Sequence, residues 1–528
     1  MFKLNLRSTY SNSKQIRHVF LDSKKVNLEW EGVVGLEIHA QIDTCSKLFS
    51  GSGTSFTKRV NEQVSFFDAA LPGTLPVLNK ECVKKGVLTA LALNCDIHSI
   101  SWFDRKHYFY ADLPAGYQIT QQRAPFATNG AIEFHCYSSD NRNKSYLKTS
   151  KIKQIQLEQD SGKSLHETSE NLSFIDLNRA GIPLMEIVFN PDLNSGDEAA
   201  CLVRELILIL KQLQTCSCKI EEGALRVDAN VSVRPKGSNI LDTRTEVKNI
   251  GSIGGVLKAV NFEIERQIRF RKANKEVINE TRAWDASINR TVTMRDKEVE
   301  QDYRFMPEPN LPPLKLSLDE NDMKSNLINV PLLKKQIPEL PSSFRNNLIT
   351  KYKLSIDTVL RLLVEPILLK YFLLIMEENN NRNPVKISNF LMMDLLAVLT
   401  DVNIDIENCT VEAKLLGELH DLFSNEIINR VILIKVLTML ITGTKESPSE
   451  IVEKNQLYQI NERSIIEESC KLTIEFNPEW VEQYYKTKKL LKKKSYQLLF
   501  NEAIKNTNGR ANLKMSNEIL QELLEKKS

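Results

Sequence analysis

Four short runs in the first half of the chain alternate apolar and polar residues. Over 34–42 one face carries Val34, Leu36, Ile38, Ala40 and Ile42, and the other Gly35, Glu37, His39 and Gln41. Over 225–234, Leu225, Val227, Ala229, Val231 and Val233 oppose Arg226, Asp228, Asn230, Ser232 and Arg234. Over 154–160, Ile155 and Leu157 oppose Gln156, Glu158 and Asp160; over 244–249, Arg244, Glu246 and Lys248 share a face. A period of two sends successive side chains to opposite faces, so each run predicts a strand with one buried face.

Helical spacing lies between these runs. Ser195 and Glu198 have the spacing of a capping box, ahead of Ala199, Leu202, Val203, Leu206, Ile209, Leu210 and Leu213. A second helix is expected from about Ser252, with Val256, Leu257, Val260, Ile264 and Ile268 on one stripe. After residue 345 the pattern is almost wholly amphipathic helix, as over 360–376 and 427–441. Glycine marks the same division: after residue 315 only Gly417, Gly443 and Gly509 remain. The first part therefore reads as α+β and the second as all-helical. Residues 306–313 hold four prolines and read as a rigid extended linker, with the domain boundary between 315 and 345.

Composition is that of a folded protein, with 42% hydrophobic and 26% charged residues. A length of 528 residues allows about three domains. No run approaches the ~20 apolar residues of a membrane span, so no membrane insertion is expected. A net charge of +3 excludes a uniformly basic nucleic-acid coat, but that charge is uneven. Residues 1–28 hold six basic residues against Asp22 alone, with serines and no continuous apolar stretch. That composition predicts an organellar transit peptide, the alternative being a frayed end. Residues 486–528 hold 11 basic residues against 4 acidic ones, which leaves an acidic body between two basic ends. The nine cysteines form no C-x-x-C, and Cys216 and Cys218 lack a second pair at zinc spacing. Free thiols in a reducing compartment are the expectation.

The polar faces of the predicted strands carry the candidate chemistry. Glu37, His39, Glu158, Asp228 and Glu246 are hard ligands suited to Mg²⁺, and Arg226, Arg244 and Lys248 suit phosphate. A solvated sheet face is the other reading of the same residues. There is no Walker A sequence, no dinucleotide fingerprint and no nucleophile elbow, so a bound nucleotide would not rest on a glycine loop. Over 103–118 aromatics interleave with Arg105, Lys106 and His107, either as a substrate wall or as an aromatic core strand.

Several of these segments resemble the B subunit of the glutamyl-tRNA(Gln)/aspartyl-tRNA(Asn) amidotransferase. They are Gly35-Leu-Glu-Ile-His39, Phe67-Asp-Ala-Ala-Leu-Pro-Gly-Thr-Leu-Pro-Val77, the 103–118 stretch, Leu157-Glu-Gln-Asp-Ser-Gly-Lys-Ser164 and Ile175-Asp-Leu-Asn-Arg179. Glu222-Gly-Ala-Leu-Arg-Val-Asp-Ala-Asn230, Thr245-Glu-Val-Lys-Asn249 and Gln301-Asp-Tyr-Arg-Phe-Met-Pro-Glu-Pro309 complete the set, in order, and the wording is of the mitochondrial type.

The resemblance implies a glutamine-synthetase-like antiparallel-sheet kinase domain followed by an all-helical region and a small helical tail domain. The corresponding boundaries are a leader at 1–28, a catalytic domain at 29–315, a linker at 316–345, a helical domain at 346–450 and a tail at 451–528. It implies an ATP-dependent carbon–nitrogen ligase that uses glutamine as amido donor. Such an enzyme phosphorylates the side-chain carboxylate of Glu on Glu-tRNA(Gln). Ammonia from a glutaminase A subunit then converts it to Gln-tRNA(Gln), and a small C subunit completes a heterotrimer in the mitochondrial matrix. A non-catalytic tRNA-binding scaffold is the alternative.

Carried over residue by residue, the resemblance assigns Glu37, His39, Glu158 and Glu246 to Mg²⁺. Arg226, Asp228, Asn230 and Lys248 fall around ATP or the reacting carboxylate, and Lys106 and Tyr108 on the substrate wall or ammonia path. Many bacterial members carry a second carboxylate where Gln159 follows Glu158, so Gln159 stays outside the metal set. Lys488, Lys489, Lys492, Lys493 and Lys494 are implied to contact tRNA phosphates, against the plainer reading of a solvated helix face.

Overall fold

The computed structural model describes residues 30–138, 141–167, 171–296, 303–322, 326–486 and 489–526. The basic leader over 1–28 lies outside them. Two compact units divide the chain, the first ending at Phe344 and the second beginning at Arg345.

The first unit is built on one nine-stranded sheet. Its strands are β1 (Trp30–Gln41), β2 (Asp96–Ile97), β3 (Ala127–Ser138), β4 (Asn141–Gln159), β5 (Pro183–Phe189), β6 (Leu225–Pro235), β7 (Thr245–Lys248), β8 (Glu280–Asp285) and β9 (Arg290–Asp296). They lie in the order β9-β8-β7-β6-β1-β5-β4-β3-β2. Every neighbouring pair is antiparallel except β7 and β8, so the expected antiparallel sheet is mixed at one place. All four alternating runs form strands in this sheet.

The apolar face of the sheet explains its stability. Val34, Leu36, Ile38 and Ala40 of β1 and Leu225, Val227, Ala229 and Val231 of β6 are fully or almost fully buried. Helices α1 (Lys80–Ala92), α2 (Gly196–Gln212) and α3 (Ile253–Lys272) supply apolar side chains to the same core. Ser195 and Ser252 cap α2 and α3, accepting from the backbone N–H of Glu198 and Gly255. The capping box expected at Ser195 is only half made. The Glu198 carboxylate accepts instead from the Asn194 N–H at 2.8 Å, the Tyr146 hydroxyl at 2.7 Å and Lys148 at 3.0 Å.

Where α2 begins, a Cβ on Gly196 would stand 2.1 Å from the Leu257 carbonyl oxygen of α3. Gly196→Ala is therefore expected to push the two helices apart and cost about 1–3 kcal/mol, as overpacking does. A denaturant titration of the first unit's tryptophan fluorescence reads that loss.

The proline stretch expected as a linker belongs to the first unit. Met306–Pro307 pairs with the short strand Asp104–His107, and Glu308 holds Arg105 through two bonds of 2.6 and 3.0 Å. Proline lacks an N–H, but an edge strand does not need one there. Within 316–345, Ile328–Asn329 pairs with Leu314–Ser317, the helical turn Val330–Lys334 follows, and Leu333, Ile337 and Leu340 pack against the core.

The second unit is helical. The expected continuous helix over 360–376 is two, Ile356–Val364 and Pro366–Glu378, because Pro366 cannot donate to the turn before it and opens a new helix instead. Arg463–Phe476, Lys489–Asn506 and Leu513–Lys526 enclose their own core of Ile466, Cys470, Leu499, Ala503, Ile519, Leu520 and Leu524. No described helix is long and apolar enough to cross a membrane.

Candidate active site

Strand register places the polar residues of five strands on one sheet face. Along it Glu37 pairs with Asp228, and His39 with Arg226 on one side and Glu186 on the other. Glu186 pairs with Gln156, and Asn230 with Glu246. Directly opposed residues point to the same face, so the alternation read from sequence converges in space. A two-stranded hairpin, Asp104–His107 with Tyr117–Thr120, packs over this face at β4. Gln118 donates to the Glu158 carboxylate at 2.8 Å, and Gln156 donates to the Thr120 hydroxyl at 3.1 Å.

Three groups converge beneath the hairpin. One ligand atom each from His39, Glu158 and Glu186 lies within 4.8 Å of the others, and His39 Nε2 is 3.9 Å from Glu158 Oε1. Burial drives the His39 imidazole below its ordinary pKa, against the pull of Glu158, so it favours the neutral ligand form. Burial and the neighbouring Glu158 and Glu37 charges push Glu186 well above the carboxylate range. Burial also opposes ionisation of Glu158, but nearby groups, the Lys106 charge foremost, hold that carboxyl low. Two buried carboxylates with one proton disfavoured and one retained are a charge arrangement that a divalent cation completes. Glu158 Oε2 is buried and has no hydrogen-bond partner. A carboxylate with one oxygen 3.9 Å from an imidazole and the other buried without a partner, beside a second carboxylate, fits a hard cation.

The remaining candidates surround this cluster. Asn230 donates to Glu37 at 2.9 Å. Lys248 lies between Asp228 at 2.8 Å and Glu246 at 3.0 Å, and Thr281 also donates to Glu246. Burial alone would lower the Lys248 pKa, but the two carboxylates raise it. Arg226 meets Asp160 at 2.6 Å, and its Nε is buried without a partner. Lys106 sits 5.1 Å from the Tyr303 ring, and Glu158 and Glu186 keep it charged despite burial. The Tyr108 hydroxyl donates to Gln118 at 3.1 Å. Beside the hairpin lies a cavity of about 310 Å³ lined by Phe67, Leu71, Leu113, Tyr117, Gln159 and Asp160.

His39 and Glu158 thus stand together, Glu37 stands next to them, and Glu246 is engaged by Lys248 and Thr281. Glu186 is the residue that sequence reasoning missed. Its only signal is a single acid inside the apolar run Pro183–Phe189. Of the tail lysines, Lys494 is exposed; Lys488 and the side chains of Lys489, Lys492 and Lys493 lie outside the described residues.

Comparison with known proteins covers most of the chain. The family model described as the GatB/GatE catalytic domain matches residues 32–322, and that described as the GatB domain matches residues 370–524. A Drosophila melanogaster protein, named as the mitochondrial B subunit of glutamyl-tRNA(Gln) amidotransferase, is 49% identical over 497 residues, or 94% of this chain and 95% of that one. The Homo sapiens protein of the same name is 45% identical over 480 residues, 90% of this chain and 86% of that one. The B subunit of an aspartyl/glutamyl-tRNA(Asn/Gln) amidotransferase of Rickettsia rickettsii (strain Sheila Smith) is 40% identical over 498 residues, 94% of this chain and 98% of that one.

Proposed function

The chain belongs to the family that the GatB/GatE catalytic domain defines, and on that premise we propose that its polar sheet face activates the glutamate carried by Glu-tRNA(Gln). The protein is a subunit of a tRNA-dependent glutamyl-tRNA(Gln) amidotransferase. In the proposed reaction the glutamate side-chain carboxylate attacks the γ-phosphorus of ATP, forming an acyl phosphate and releasing ADP. A free carboxylate is a poor electrophile, and the phosphate gives it a leaving group. Ammonia then attacks the acyl carbon, the bond to phosphate breaks, a proton is lost, and Gln-tRNA(Gln) results.

The observation that carries this reading is the His39–Glu158–Glu186 cluster with its open carboxylate oxygen. These three side chains would hold Mg²⁺, with Glu37 alongside. Bound there, Mg²⁺ would neutralise phosphate charge as the phosphoryl group transfers. Arg226, Lys248 and Lys106 would face the phosphates with their remaining N–H groups. Asp160 and Asp228 would hold Arg226 and Lys248 in place, and Asn230 would fix Glu37. The cavity at Gln159 is the proposed arrival point for ammonia, and its amide keeps the path polar without a charge. Retention of this cluster favours catalysis over a tRNA-binding scaffold. Amidation of Glu-tRNA(Gln) by the reconstituted complex, with and without ATP, tests the reading: product that forms equally without ATP would contradict it.

The partners proposed are a glutaminase A subunit, a small C subunit and tRNA(Gln) charged with Glu, in the mitochondrial matrix. Relatives named as mitochondrial B subunits support the assembly and the compartment. The tail would contact tRNA through Lys488, Lys489, Lys492, Lys493 and Lys494. Replacing Lys492, Lys493 and Lys494 by Gln is expected to weaken tRNA binding and lower its salt slope by about 1 for each phosphate interaction removed. An unchanged slope in filter-binding titrations would return these residues to an ordinary solvated helix face.

A further inference from the structure

Gln118 lies at the junction of the hairpin and the sheet and is buried, 5% exposed. Its carboxamide makes three hydrogen bonds. Nε2 donates to Glu158 Oε1 at 2.8 Å and to the Gln159 carbonyl at 2.6 Å, and Oε1 accepts from the Tyr108 hydroxyl at 3.1 Å. The orientation of this amide is chemically forced. A carboxylate and a backbone carbonyl can only accept, so the NH₂ end must face them, and the phenol then donates to the oxygen end. Both amide protons are spent on strand β4, one on the side chain of Glu158 and one on the next peptide.

We infer that Gln118 is a positioning residue for the proposed cation site, and that Tyr108 acts through it. By pinning Oε1, Gln118 fixes the rotation of the Glu158 carboxylate about its last bond. That same Oε1 lies 3.9 Å from His39 Nε2 in the cluster with Glu186, while Oε2 is buried and without a partner. Tyr108, which the resemblance assigns to the substrate wall or ammonia path, then has its hydroxyl committed to orienting the amide. Groups that orient a metal-binding carboxylate change metal affinity without touching the ion. The same amide ties the hairpin that carries Lys106 to the strand that carries Glu158, so substrate wall and cation site share one anchor.

This inference rests on the reading of Glu158 as a cation ligand, and the experiment separates the two. Mn²⁺ binding to the reconstituted complex is followed by electron paramagnetic resonance, for Gln118→Met, Tyr108→Phe, their combination and Glu158→Gln. Gln118→Met is expected to weaken Mn²⁺ binding roughly 10–100-fold, the range for residues behind the ligands. Tyr108→Phe is expected to weaken it less, and to add nothing once Gln118 is Met, because its effect passes through the amide. Glutaminase activity of each complex reports assembly. A Gln118→Met complex that assembles and binds Mn²⁺ as tightly as the parent overturns the inference. Should Gln118→Met fail to assemble, Tyr108→Phe decides: unchanged Mn²⁺ affinity overturns the inference, and weakened affinity supports it. Unchanged binding by Glu158→Gln would instead overturn the reading of the site itself.

Discussion

Glu186→Gln is expected to lower ATP-dependent amidation by at least about 100-fold while leaving the protein as stable as before, or more so, without Mg²⁺. The substitution keeps the shape of the side chain and removes its charge. In the free protein that charge is unwelcome: burial and the neighbouring Glu158 and Glu37 carboxylates press Glu186 toward its protonated form. A neutral amide relieves the crowding, and Gln156, which donates to Glu186 at 2.8 Å, can still donate to the amide oxygen. With a dication bound, the same carboxylate becomes a ligand. Its loss then removes part of the several kcal/mol that a metal contributes to phosphoryl transfer, where each 1.4 kcal/mol is about tenfold in rate. Strain of this kind, tolerated in the free protein for use in the complex, is common at active sites. Amidation rates and thermal melts recorded with and without Mg²⁺ measure both halves. A variant that is destabilised and fully active would show Glu186 to be a structural residue.

Lys47→Met is expected to be the most destabilising single change in the loop 47–77. Lys47 is completely buried. It donates to Asp68 Oδ2 at 3.1 Å and to the carbonyls of Gln63 at 2.6 Å and Leu177 at 3.4 Å. Asp68 in turn accepts from the Ser50 hydroxyl and the Ser65 N–H. Desolvation pulls the lysine below its ordinary pKa and Asp68 opposes it. Removing the cation leaves a buried carboxylate without its counter-charge, which costs about 3–5 kcal/mol. Phe67, Asp68 and Leu71 also line the cavity beside Gln159, so the loss should open that wall as well. Limited proteolysis over 47–77 should accelerate in Lys47→Met and be partly restored in Lys47→Met/Asp68→Asn. Equal cleavage of all three would mean that the pair contributes nothing.

The parts of the fold that were legible in sequence are those where one sheet face is apolar and the other polar. Over Leu36–Gln41 of β1 and Leu225–Val231 of β6 every second residue is buried, and the residues between them hold the candidate chemistry. Glu186 escaped because β5 does not alternate. Leu184 shares its face, so the strand reads as a continuous apolar run with one acid inside. Gln118 and Gln156 escaped for a different reason. A neutral amide looks like surface in a sequence, and only its three-dimensional partners show that it is buried. Spacing placed a capping box at Ser195, but Tyr146 and Lys148, distant in sequence, claimed Glu198. The prolines over 306–313 signalled an extended chain correctly, yet gave no hint that Glu308 would find Arg105 across 203 positions. Local patterning names the elements; which polar groups meet is decided by register and by contacts across the hairpin.

In the proposed reaction His39, Glu158 and Glu186 support phosphorylation of a tRNA-bound glutamate. The most direct test is release of ADP from ATP by the reconstituted complex in the presence of Glu-tRNA(Gln), comparing the parent with Glu158→Gln. The parent is expected to release ADP only when Glu-tRNA(Gln) is supplied, and Glu158→Gln to lose this release while its glutaminase partner stays active. ADP formation by Glu158→Gln at the parent rate would contradict that expectation.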